Sequence, residues 1–203
     1  MSKIKIGVLI SGGGTNLQSI IDQIHKSNEN GEIVLIASNK KNAYGLTRGK
    51  ENEIKTIYLN PKEYEDSDAY NEALLAHMLI EKVDLVILAG YLKILNHKWI
   101  GQYPNRIINI HPSLIPKFCG KGYYGLKVHQ AAIETGESET GATVHLVDEG
   151  TDTGPILIQE KLNILKNETA EDLQKRVLEI EHRILVEAVR YYCKHETFEN
   201  LRG

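Results

Sequence analysis

The sequence predicts an α/β fold: a single-domain, mostly parallel twisted sheet with helices on both faces, of the Rossmann-like kind. Short apolar runs recur along the chain, longer amphipathic segments lie between most of them, and a glycine-rich turn follows the first run. Strands buried on both faces of a parallel sheet read as near-continuous apolar runs, and alternation with helix-period segments calls for crossover connections.

The expected strands are Ile4–Ile10, Ile33–Ser38, Thr56–Leu59, Leu85–Ala89, Ile107–His111 and Thr143–Val147. Between them, Asn16–His25 places Leu17, Ile20, Ile21 and Ile24 three and four residues apart, and Tyr70–Lys82 does so with Leu74, Leu75, His77, Met78 and Leu79. That spacing puts the apolar side chains on one helical face. Thr169 with Asp172 reads as an N-terminal cap, followed by a closing helix with Leu173, Val177, Ile180 and Ile184 on one stripe. Two segments carry no period: Pro112–Gly125, with Gly120, Gly122 and Gly125, and the loop Asp148–Pro155. Long loops on a rigid sheet are often functional.

At 203 residues the chain fits one domain, with residues 1–100 forming a phosphate-binding half and residues 101–203 a catalytic half. A formal net charge of -3 argues against a nucleic-acid-coating protein and leaves room for a local cationic pocket, so the expected partners are small molecules. Cys119 and Cys193 suit neither a disulfide framework nor a zinc site, which points to a reducing cytoplasm. The start, Met1 to Lys5, is too short and too charged for a signal peptide, and no segment has the apolar length to cross a membrane. The eight histidines show no metal-ligand spacing, and no metal is expected.

Three constellations carry chemistry. Ser11-Gly12-Gly13-Gly14-Thr15-Asn16 stands between the first strand and the first helix and suits a phosphate, because glycines admit a close anion and N–H groups at a helix start attract it. It lacks the lysine of a P-loop, and Leu17 stands where a dinucleotide fingerprint needs glycine, so NAD is not expected. The second is Asn109-Ile110-His111 before Pro112. Residues two apart on a strand share a face, and proline ends the ladder, so an amide and an imidazole are presented together at the strand's carboxyl end. Such a pair suits acyl-type transfer, the imidazole handling a proton and the amide donating to an oxyanion. The third is the loop from Asp148 to Pro155, whose Asp148, Glu149 or Asp152 could orient His111 and favour its protonated form; spacing does not choose among them.

With Gly90-Tyr91-Leu92-Lys93-Ile94-Leu95 added, Ile6–Asn16, Asn109–Lys117 and Val144–Pro155 occur in an order that resembles the folate-dependent formyltransferases, in their glycinamide-ribonucleotide branch. The resemblance spans nearly the whole chain. It implies transfer of the formyl group of 10-formyltetrahydrofolate, as co-substrate, to the amine of glycinamide ribonucleotide in purine synthesis. It assigns oxyanion stabilisation to Asn109 and a protonated His111, and selects Asp152, just before Thr153-Gly154-Pro155, as the partner of His111. Gly14, Thr15 and Asn16 would hold the ribonucleotide phosphate and Glu181 the ribose hydroxyls. The folate would lie near Leu92, Lys93, Ile94, Leu95, Asn109 and Asp148, with His145 supporting the site from beneath.

Two departures stand out. Ser67 replaces an arginine found ahead of the Ala-Tyr in many relatives, and the loop Phe118–Leu126 is longer than in some. A chain of 203 residues has no room for the additional domains of the tRNA-directed or hydrolytic members, and a non-catalytic nucleotide-binding module would not need Asn109, His111 and Asp152 together. Either a monomer or a homodimer is compatible with the sequence.

Overall fold

The computed structural model describes residues 3–201; Met1, Ser2, Arg202 and Gly203, which the sequence reading includes in the domain, lie outside the described residues. Seven strands form one sheet in the order β3-β2-β1-β4-β5-β6-β7. They are β1 (Ile4–Ile10), β2 (Gly31–Ser38), β3 (Thr56–Tyr58), β4 (Leu85–Leu88), β5 (Ile107–His111), β6 (Glu139–Leu146) and β7 (Ile156–Asn163). The four pairings among β1 to β5 are parallel, whereas β5–β6 and β6–β7 are antiparallel. The mostly parallel sheet is as expected; β7 is an addition. Along β7 only Leu157 is fully buried and partly exposed residues alternate with exposed ones, so this edge strand lacks the continuous apolar run of its parallel neighbours.

The helices are α1 (Thr15–Ile20), continued by a π-helical turn over Ile21–His25, α2 (Tyr44–Glu51), α3 (Ser67–Ile80), α4 (His97–Gln102), α5 (Leu126–Glu134) and α6 (Ala170–His195). Three of these are not evident in the sequence. Gly45 and Gly49 give α2 a poor intrinsic helix preference, α4 is only six residues long, and α5 directly follows the irregular glycine-rich stretch. The cap of α6 is as expected, with the Thr169 hydroxyl accepting from the N–H of Asp172.

Alternation along the strands divides the core between the two faces. Ile4, Ile6, Val8 and Ile10 of β1 pack with α1, α2 and α6, while Leu9 joins Leu74 and Met78 of α3 and Trp99 of α4 on the other face. The order reverses at β1, which has β2 on one side and β4 on the other, with connections leaving in opposite directions. In open sheets, the crevice beyond the carboxyl ends of the strands at such a switch point binds ligands. The Ser11–Asn16 turn follows β1, Gly90–Leu95 follows β4, and Asn109 and His111 end β5. No helix is long and apolar enough to cross a membrane among the described residues.

Leu74 is 1% exposed and central to the second core, so Leu74→Ala should lower stability by about 2–5 kcal/mol, read as a reduced denaturation midpoint.

Candidate active site

The antiparallel pairing of β5 with β6 builds the centre. It sets Asn109 opposite His145 and His111 opposite Thr143, all on the face away from Ile108 and Ile110. The Asn109 Nδ2 donates to His145 Nε2 at 3.0 Å and to Asp152 Oδ1 at 3.3 Å, so both amide hydrogens are engaged. His145 Nδ1 lies 2.8 Å from the carbonyl of Leu146, which can only accept. The Nδ1 therefore carries the proton and, in the neutral ring, the Nε2 lone pair faces Asn109.

The same reasoning fixes His111. Its Nε2 lies 2.9 Å from the carbonyl of Phe118 and must donate to it, leaving Nδ1 3.7 Å from Asp152 Oδ2. Asp152 Oδ2 accepts the Gly120 N–H at 2.9 Å. One carboxylate thus touches the strand amide, faces the imidazole and holds the glycine-rich loop. Asp152 is itself in the left-handed region, with φ 58°.

Burial outweighs charge at His111. It is 5% exposed, and desolvation holds its pKa below the usual histidine value, against the opposing pull of the Phe118 carbonyl and Asp152. Asp152 pulls toward the charged form as expected, but burial outweighs it, so the protonated His111 that the family resemblance implies is not the favoured form here. Desolvation works to raise the Asp152 carboxyl as well, but the nearby His145, the Gly120 N–H and the His111 imidazole overcome it and keep the group below its ordinary value. On α5, His129 is 1% exposed, its Nδ1 has no partner among the described residues, and burial together with His111 pushes its pKa down to about 4.

The other expected residues divide by place. Gly14 and Thr15 lie at the start of α1, with Gly14 at φ 70°. Asn16 is buried beneath the turn and donates through Nδ2 to Glu181 Oε2 at 2.7 Å, across 165 residues of sequence. Glu181 is buried with no ion-pair partner among the described residues, and desolvation raises its pKa to about 7 in spite of Asn16. Beyond β4, Leu92 and Ile94 are 52% and 66% exposed, forming an apolar lip with exposed Lys93 between them. Leu95 turns inward to the second core at 6% exposure, so only its backbone is open to the folate contact expected of it. Asp148 is occupied locally, accepting from the Gly150 N–H and the Thr153 hydroxyl, and shapes the loop. A cleft of about 230 Å³ continues from this lip toward α3, lined by Tyr64, Ser67, Tyr70, Asn71, Lys93 and Ile94.

Cys119 is unsuited to nucleophilic work, since burial and Asp152 raise its thiol pKa and its Sγ donates to the carbonyl of Pro116. The carbonyl of Phe118 and the N–H of Gly120 were not foreseen, because backbone groups leave no mark on residue type. Ser11 links the glycine-rich turn after β1 to the loop after β4: its N–H donates to the Gly90 carbonyl, and its hydroxyl accepts from the Leu92 N–H.

An open α/β sheet with an amide, an imidazole and a carboxylate converging beside a glycine-rich anion turn defines a group-transfer site of the acyl type. The formyl transferase family matches residues 4–189, and the chain belongs to it. It is 41% identical over 191 residues to phosphoribosylglycinamide formyltransferase, chloroplastic, of Arabidopsis thaliana, covering 94% of this chain and 65% of that one. It is 40% identical to phosphoribosylglycinamide formyltransferase of Haemophilus influenzae, over 94% and 87% of the two chains. The crystal structure of glycinamide ribonucleotide transformylase 1 from Symbiobacterium toebii superposes with a TM-score of 0.89 at 40% identity, covering 95% of this chain and 89% of that one. The chain thus spans just under two thirds of the plant relative and most of the bacterial ones.

The acid limb of stability tests the buried imidazoles. A histidine held neutral in the fold but free to protonate near 6.5 when unfolded gives stability that is present above that pH and is lost as pH falls through the window toward about 4. The denaturation midpoint should fall across that window, and His129→Gln should flatten the dependence; parallel curves for the two proteins would show that His129 is not held neutral.

Proposed function

We propose that this chain transfers the formyl group of 10-formyltetrahydrofolate to the amine of glycinamide ribonucleotide, in purine biosynthesis, giving formylglycinamide ribonucleotide and tetrahydrofolate. The convergence of Asn109, His111 and Asp152 at the switch-point crevice carries the reading. Family membership and relatives named for this ribonucleotide support the choice of acceptor. The enzyme works on small molecules, as a monomer or homodimer, and its two free cysteines suit a reducing cytoplasm.

The Gly14–Asn16 turn takes the phosphate, and Glu181 takes the ribose hydroxyls beside Asn16. The pteridine lies against the lip of Leu92 and Ile94 and the backbone from Asp148 to Asp152, and the folate tail runs into the cleft where Lys93 stands beside Ser67. Lys93 supplies there the cation that Ser67 does not.

In the transfer step, the ribonucleotide amine attacks the formyl carbon, a C–N bond forms, and the carbonyl electron pair moves onto oxygen. Asn109 Nδ2 and the N–H of His111 receive that oxyanion, giving up the longer bond to Asp152 and the bond to the Phe118 carbonyl respectively. Asp152 remains a carboxylate and assists passage of the amine proton through water to His111 Nδ1, offsetting the charge of the imidazolium so formed, which later supplies the proton taken up by the folate nitrogen. The tetrahedral intermediate collapses by breaking the bond to the folate nitrogen, which takes up a proton and leaves. One oxyanion donor is worth roughly 10²–10³-fold and a positioned acid–base group roughly 10²–10⁴-fold.

Loss of the formyl folate should be seen by absorbance on adding glycinamide ribonucleotide, and not with water or tRNA as acceptor; absence of ribonucleotide-dependent turnover overturns the proposal. His111→Ala should cut kcat by roughly 10²–10⁴-fold while ribonucleotide affinity changes little, since the phosphate turn is separate. Asp152 favours the charged imidazole, so Asp152→Asn should move the His111 ionisation in the pH–rate profile to lower pH. An unshifted profile would show that Asp152 does not act through His111.

A further inference from the structure

The carbonyls of Gly12, Gly13 and Gly14 all accept hydrogen bonds from protein donors. The Gly12 carbonyl takes the N–H of Gly45, in the first turn of α2, at 3.1 Å. The Gly13 carbonyl takes Arg48 Nε, one helical turn further along, at 2.9 Å. The Gly14 carbonyl takes the N–H of Gln18 at 2.9 Å. In a trans peptide the C=O and the following N–H point in opposite directions. Tying down the Gly12 and Gly13 carbonyls toward α2 therefore turns the N–H groups of Gly13 and Gly14 away from it, and the Gly14 carbonyl, directed along α1, turns the N–H of Thr15 back toward the turn. Successive outward N–H groups form a concave nest that suits an anion. None of these N–H groups has a hydrogen-bond partner among the described residues. Asn16, 7% exposed beneath them, leaves its Oδ1 without a partner among the described residues, ready for a hydroxyl or amine of the same ligand.

Helix α2 is held very close to the turn. A Cβ on Gly14 would stand 2.7 Å from the Gly45 Cα, a backbone contact that requires glycine, and one on Gly45 would stand 2.3 Å from Ile10 Cδ1 and force that side chain to shift. Arg48 is fixed on several sides: Nη1 donates to Gln18 Oε1 at 3.0 Å, and the guanidinium lies 5.0 Å over the ring of Tyr44. A side chain so anchored acts through geometry more than through its charge.

We infer that Arg48 is a positioning residue for the ribonucleotide phosphate, holding the Gly13 carbonyl so that the N–H groups of the turn face the anion. The inference rests on the reading of this turn as the phosphate site and adds to it a residue from a separate helix. Inorganic phosphate, as a competitor of glycinamide ribonucleotide, probes the nest apart from the chemistry. Arg48→Met should raise KM for the ribonucleotide and Ki for phosphate together, by about 10-fold, the low end for a lost charge-assisted hydrogen bond. The saturating kcat and the KM for the formyl folate should stay within about 2-fold. Arg48→Gln keeps an uncharged donor able to reach the Gly13 carbonyl and should recover part of the loss.

Equal losses in the Gln and Met variants would overturn the inference, making Arg48 a direct charge partner of the phosphate. Unchanged constants in both would overturn it as well. Should Arg48→Met fail to fold, Arg48→Gln decides alone: its amide shifts on phosphate titration should remain centred on Gly13, Gly14 and Thr15 with weaker affinity, and wild-type affinity would refute the role. Failure of the wild-type protein to be inhibited by phosphate, or to use the ribonucleotide at all, would instead remove the underlying reading of the turn.

Discussion

The site depends on a single carboxylate. Asp152 Oδ1 accepts from the amide of Asn109, and Oδ2 accepts from the N–H of Gly120 while facing His111. Through these contacts the rigid end of β5 and the glycine-rich loop that follows it are tied to one point on a third segment, the loop between β6 and β7. Such a hub is stable only where donors surround the charge, because an unpaired buried carboxylate would take up a proton instead. The donors overcome burial at Asp152, and the group stays ionised.

Around this charge, the hydrogen-bond roles of the two histidines follow from neighbouring carbonyls. The Leu146 carbonyl accepts from His145 Nδ1, so that in the neutral ring Nε2 is the acceptor and the amide of Asn109 is fixed with its nitrogen toward His145. The Phe118 carbonyl accepts a hydrogen bond from His111 Nε2, so the imidazole is directed before any substrate arrives. The donors are thus aligned beforehand by acceptors that a developing oxyanion would replace, which keeps the reorientation at the moment of reaction small. Burial of His111 then acts as a brake on protonation, one that a nearby developing oxyanion would release by favouring the imidazolium.

Much of this was legible in the sequence, for identifiable reasons. Central parallel strands are buried on both faces and announce themselves as apolar runs, so β1, β2, β4 and β5 were found, and the end of β5 at His111 follows from Pro112. The solvent-facing alternation of β7 and the glycines of α2 concealed those elements. Asn109 and His111 stand out because their side chains carry chemistry at a strand end, whereas Asp152 is separated from Asp148 and Glu149 only by the family resemblance; the structure brings the three together. Hidden from sequence were the backbone partners at Phe118 and Gly120, the inward turn of Leu95, and the balance between burial and charge at His111, which depends on how deeply the ring is enclosed.

The placing of the two halves of the site follows from strand order. The proposed phosphate turn follows β1 and the proposed catalytic pair ends β5, with β4 between them. Adjacent strands lie about 4.8 Å apart, so the turn and the catalytic pair are separated by roughly 10 Å, a span suited to a ribose bearing a short amide arm. The loop after β4, which carries the apolar lip, rises between them, and Ser11 binds it to the phosphate turn through the Gly90 carbonyl and the Leu92 N–H. A ligand seated at one loop therefore rests on a backbone shared with the other. For a reaction between two bound molecules, the rate gain from correct juxtaposition can rival that from any single catalytic group. In this fold that juxtaposition is set by three neighbouring parallel strands and one serine.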